Sequence, residues 1–102
     1  MKIIAKVVDL ISEELSDAKR YIKLAEQEKE NKSLSECFAT LAEAEMGHVK
    51  ALHAEAASLI EDYRAKNGEP PADMLAIYNY EHKKQIARAA KIKQMITEYR
   101  NS

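Results

Sequence analysis

At 102 residues, 46% of them hydrophobic, the chain holds enough apolar material for one packed core, and a single domain over residues 1–102 is expected. Its 16 basic and 17 acidic side chains leave a formal net charge of -1, with no basic run interleaved with aromatics, so nucleic acid and charged membrane surfaces are not expected partners. The lone Cys37 cannot form an internal disulfide, Lys6 and Asp9 interrupt any signal-peptide core, and no run nears the ~18 apolar residues of a membrane span; a cytoplasmic protein is expected.

Apolar residues at helical spacing predict a first helix over about Lys2 to Lys29, with Ile4, Val8, Ile11, Leu15, Ala18, Ile22 and Ala25 on one face. A break at Asn31 to Ser33 follows, where Ser33 and Glu36 have the spacing of a capping box and set the second helix to begin near Leu34. That helix is expected to run to about Lys66, with Asn67-Gly68 supplying the left-handed residue that ends it. Pro70 and Pro71 suit the first turn of a third helix from about Ala72 to Arg100. Its inner stripe reads Leu75, Tyr78, His82, Ile86, Ala89, Ile92, Ile96 and Tyr99, with Glu81 and Gln85 at the border. Two short loops make neighbouring helices antiparallel, and the fold class is all-α.

The second helix carries the most informative pair. Its stripe reads Leu34, Phe38, Leu41, Glu45, His48, Leu52, Ala56, Leu59 and Tyr63, which puts a carboxylate and an imidazole in the expected seam. An ionisable group left there without a partner costs on the order of several kcal/mol, so something must compensate both. Glu45 and His48 form an E-x-x-H, whose residues project from one helix face and can hold one metal ion. With 13 Glu and 3 His the bare pattern is expected roughly 0.4 times by chance, so its place in the stripe carries the argument. The competing reading is a metal-free interaction module whose polar pair fixes register or oligomeric state. Glu14 lies on an alternative inner face of the first helix, Ile4, Val7, Ile11, Glu14, Ala18, Tyr21 and Ala25. With the hairpin turning near Lys32, Glu14 and Glu45 are expected about five residues, or on the order of 7 Å, out of level. Gly47 is expected to mark a close helix approach or a distortion beside the ligands, Cys37 to be a small packed residue, and His53 to be a surface histidine.

The segment Glu14-Leu-Ser-Asp-Ala-Lys-Arg-Tyr21, with Ala25, Phe38, Leu41-Ala42 and Glu45-Met-Gly-His48, resembles the first helical hairpin of the rubrerythrin and ferritin-like superfamily. The 31 positions from Glu14 to Glu45 fit that pattern. The resemblance covers roughly residues 10 to 60 and implies Glu14, Glu45 and His48 as iron ligands with Tyr21 beside the site. Glu81 on the third helix is a further candidate ligand, and His82 a neighbour; Glu81 is followed three residues later by Lys84 rather than by His. A complete ferritin-like bundle has a second Glu and a second E-x-x-H. Two copies paired about a two-fold axis would supply them, in the manner of encapsulated ferritins, and complete a four-helix bundle by self-association. The resemblance thus implies a homodimer or higher even oligomer holding two iron ions per site, with manganese as the other metal suited to such ligands. The implied chemistry is ferroxidase-type oxidation of ferrous iron by oxygen or peroxide.

Overall fold

The structure, a computed structural model, describes residues 2–102 as three helices: α1 (Lys2–Gln27), α2 (Lys32–Asn67) and α3 (Ala72–Arg100). No strand occurs among the described residues, and the molecule is a rod of 55 × 18 × 18 Å. Neither α1, α2 nor α3 is long and apolar enough to cross a membrane.

α1 and α2 form the intimate pair, and α3 leans on the hairpin mainly through α1. Ile4, Val7, Ile11, Leu15, Ala18, Ile22 and Ala25 of α1 are buried, the expected face with Val7 in place of Val8. From Val7 onward they form one cluster with Ala39, Ala42, Met46, Val49 and Ala56 of α2. Small side chains at Ala18, Ala25, Ala39, Ala42 and Ala56, all fully buried, let the two backbones approach closely. Burial of each larger aliphatic side chain contributes about 1.5–3 kcal/mol.

The turn differs from expectation in one consequential way. Asn31, not Ser33, caps α2: its side-chain oxygen accepts from the Leu34 backbone N–H at 3.1 Å, and Glu36 instead pairs with Arg100 at 2.5 Å. The helix therefore starts earlier, the Glu28–Asn31 segment closes through the Asn31 N–H to the Glu28 carbonyl, and the hairpin is centred between Lys29 and Glu30. Glu14 and Glu45 are equidistant from that centre, as are Tyr21 and Phe38, whose rings stack at 6.4 Å. The expected offset of five residues vanishes.

At the far end Gly68, at φ 78°, donates its backbone N–H to the Arg64 carbonyl and ends α2 as expected. α3 then begins at Ala72 behind Pro71. Its inner face is rotated from the expected one: Gln85 is 2% exposed, whereas Ile86 is 51% exposed. The buried amide is fully engaged, donating to the Val8 carbonyl at 2.9 Å and the Ser12 hydroxyl at 3.1 Å, and facing His53 Nε2 at 3.3 Å.

Candidate metal centre

The seam of α2 lies one residue beyond the expected stripe. Ser35, Ala39, Ala42, Met46, Val49, Ala56 and Ile60 are buried, while Leu34, Leu41 and His48 are exposed and Phe38, Glu45 and Leu52 are half-buried. The leucine stripe thus flanks the core instead of filling it. Helical spacing puts Ile3, Leu10, Glu14 and Tyr21 on the matching flank of α1. The result is one open face across the hairpin, turned away from α3, with Ile3, Leu10, Leu34 and Leu41 39–54% exposed.

Glu14, Glu45 and His48 meet in the middle of that face. Each offers one ligand atom, and those atoms lie within 4.8 Å of one another. His48 Nδ1 sits 3.3 Å from Glu14 Oε2 and 3.5 Å from Glu45 Oε1. The imidazole is the outermost group and Glu45 the most enclosed, with side chains 60% and 18% exposed. A hydrogen bond with the Glu14 carboxyl, then desolvation, then the Glu14 charge push the Glu45 pKa up to about 7, although His48 acts in the opposite direction. Near neutrality the Glu45 carboxyl therefore begins to hold a proton, in its hydrogen bond to Glu14. Replacing that proton with a divalent cation keeps both carboxylates satisfied and removes their repulsion. Two carboxylates and one imidazole suit iron or manganese, whereas the exposed Cys37 is no part of the group.

The remaining candidates fall elsewhere. Tyr21 lies two turns along α1 from Glu14, about 10 Å by helical rise, with its ring on Phe38; it flanks the centre and does not ligate it. Glu81 is outside the group. It lines a groove with Ile4, Asp9, Ile77 and Tyr78 and stands 4.0 Å from Lys84. His82 stacks on Tyr78 at 5.7 Å and lies edge-on to His53 at 5.1 Å, so His53 is half-buried against α3 rather than the free surface histidine expected. Gly47 does not mark a close helix approach: a Cβ there would meet nothing within 4 Å. Cys37 is exposed rather than packed. Sequence reasoning missed the pairing of His53 with Gln85; the signal was Gln85 at helical spacing from Tyr78, His82, Ala89 and Ile92.

Compared with family models, curated proteins and solved structures, the chain matches none.

Proposed function

We propose that the chain is half of a di-iron carboxylate centre, in which Glu14, Glu45 and His48 of two copies hold two iron ions, or two manganese ions, and oxidise ferrous iron. The observation that carries this reading is the convergence of two carboxyls and one imidazole from two helices, level with each other, on an uncovered face. A single triad leaves coordination positions open, and a second copy laid on the same face would bring an identical triad across a two-fold axis. The half-exposed Ile3, Leu10, Leu34 and Leu41 support that pairing, since burying them around the metals would exclude water. The leucine stripe of α2, off the core of one chain, would then fill the core of a four-helix bundle.

In this reading Glu45, the most enclosed carboxylate, would be the ligand shared by the ions, and would give up its proton to hold them. Glu14 and His48 would complete the set, His48 being the most exposed of the three and so the first that ferrous iron would meet. The metals supply the change of valence that oxidation by oxygen or peroxide requires. Tyr21, stacked on Phe38, is a neighbouring redox-capable phenol; Tyr21→Phe is expected to slow oxidation while leaving metal affinity intact.

Light scattering together with metal analysis on protein loaded anaerobically with ferrous iron tests the proposal. The expected result is an even-numbered assembly with one iron ion per chain. A monomer at every concentration that still binds two ions would overturn it.

A further inference from the structure

On the opposite side of α1 the charge pattern reverses. A groove of about 490 Å³ is lined by Lys19, Arg20 and Lys23 of α1 and Arg88 of α3, with Ser16 and Gln27 among them and no carboxylate in its wall. The molecule treats its other arginines differently: Arg64 pairs with Glu61 and Glu69, and Arg100 with Glu36 and Glu43. Arg88 has only neutral partners, its Nη2 donating to the Ser16 hydroxyl at 3.0 Å and the Ser12 carbonyl at 3.3 Å. Among the described residues Lys19, Lys23 and Arg88 have no carboxylate within ion-pairing distance, and Arg20 has Asp17 alone. Lys19 and Lys23 also stand one turn apart, where like charges repel.

We propose that this groove binds a phosphate-bearing anion, engaged by the Arg88 guanidinium, the two lysines and the Ser16 hydroxyl. With its Nη2 protons given to two neutral oxygens, the guanidinium is held in a fixed orientation and keeps its Nε and Nη1 N–H groups to donate singly to phosphate oxygens. Lys19 and Lys23 supply point charges to the remaining ones, and their mutual repulsion is relieved when the anion arrives. A carboxylate brings a single charge to three cationic side chains, whereas a diphosphate brings charge and acceptor oxygens enough for all three. Because the groove lies away from the Glu14 face of α1, it stays open when two copies pair there, and the inference is independent of the metal centre.

Amide NMR titration of the full chain at fixed ionic strength tests this, with pyrophosphate in one arm and a nucleoside diphosphate in the other. Saturable shifts confined to the neighbours of Ser16, Lys19, Lys23 and Arg88 are expected. Equal affinity in the two arms assigns recognition to the diphosphate alone, and tighter binding of the nucleotide extends it to the nucleoside. Lys19→Gln with Lys23→Gln is expected to weaken binding about tenfold. Arg88→Lys should weaken it too, because charge is kept while the anchoring to Ser12 and Ser16 and the directed N–H donors are lost. Lys2→Gln with Lys6→Gln removes the same two charges at the same spacing elsewhere on α1 and should have no effect. Equal weakening by the two double variants, or no localised shift at millimolar anion in either arm, would overturn the proposal; unchanged helical circular dichroism keeps the comparison free of unfolding.

Discussion

Two polar clusters flank the hairpin core, and they differ in how donors and acceptors balance. In the α3 seam Gln85 gives its amide protons to the Val8 carbonyl and Ser12 hydroxyl and turns its oxygen to His53, so all three helices are tied by one neutral side chain. No carboxylate takes part, and the one imperfection is His82 Nδ1, buried without a partner. On the open face Glu14 and Glu45 bring acceptors in excess, with one imidazole that both approach. A balanced cluster fixes register; an acceptor-rich one is a place for a cation. Burial alone would have ranked them the other way, since the better enclosed cluster is the structural one.

Replacing members of each cluster should separate the two roles. Glu14→Ala, Glu45→Ala and His48→Ala are each expected to weaken anaerobic ferrous iron binding by more than about 100-fold, exceeding the usual effect of groups that only orient ligands. Glu81→Ala and His53→Ala should leave it unchanged in the same titration, and a comparable loss in either would erase the distinction. Gln85→Ala should do the reverse, costing about 2 kcal/mol through lost hydrogen bonds and a cavity while iron affinity stays intact. For a domain of this size that is a fall of roughly 8–16 °C in melting temperature.

Acidity sharpens the contrast, because the two clusters respond with opposite sign. Burial lowers the His53 pKa, and His82 and Lys93 reinforce this against the Gln85 hydrogen bond, so His53's contribution to stability is present above about pH 6.5 and is lost as pH falls below it. Glu45, raised to about 7, contributes to the metal-free protein below its unfolded value near 4.5, a contribution lost as pH rises through 7. Metal binding removes that proton, so iron affinity should increase about tenfold per pH unit below 7 and level off above it, as a manganese or ferrous titration over that range would measure. The smallest expected effect belongs to neither cluster: Gly47→Ala meets open space and should stabilise the chain by about 0.5–1 kcal/mol in denaturant unfolding, with metal binding unaltered.

The helices and the Glu45–His48 pair were legible in the sequence because each rests on local signals. Asn67-Gly68 and Pro70-Pro71 bracket the second loop, and Glu45 and His48 share a face by spacing alone. Interior facing was harder to read. Leu34, Phe38 and Leu41 outweigh Ser35, Ala39 and Ala42 in apolar character, yet the small residues are buried because they let α1 come close. Gln85 lost to Ile86 for the same reason: side-chain polarity was weighed without the Val8 carbonyl, Ser12 and His53 that satisfy it across helices. The level pairing of Glu14 with Glu45 depended on which residue caps α2, and Asn31 and Ser33 offer competing caps two positions apart. The basic groove was invisible because Arg88 reaches it only through the tertiary fold.

Whether the acceptor-rich cluster is a metal site is tested most directly by calorimetry of the parent beside a Glu45→Leu, His48→Leu variant. Without metal the variant should be the more stable, because facing carboxyls no longer have to be desolvated together. Saturating anaerobic ferrous iron should raise the melting temperature of the parent and leave the variant where it was, since the ion stabilises the state that binds it. An unchanged melting temperature in the iron-saturated parent, with a changed oligomeric state in the variant, would contradict the metal centre and identify the triad as a register-fixing pair in a helical interaction module.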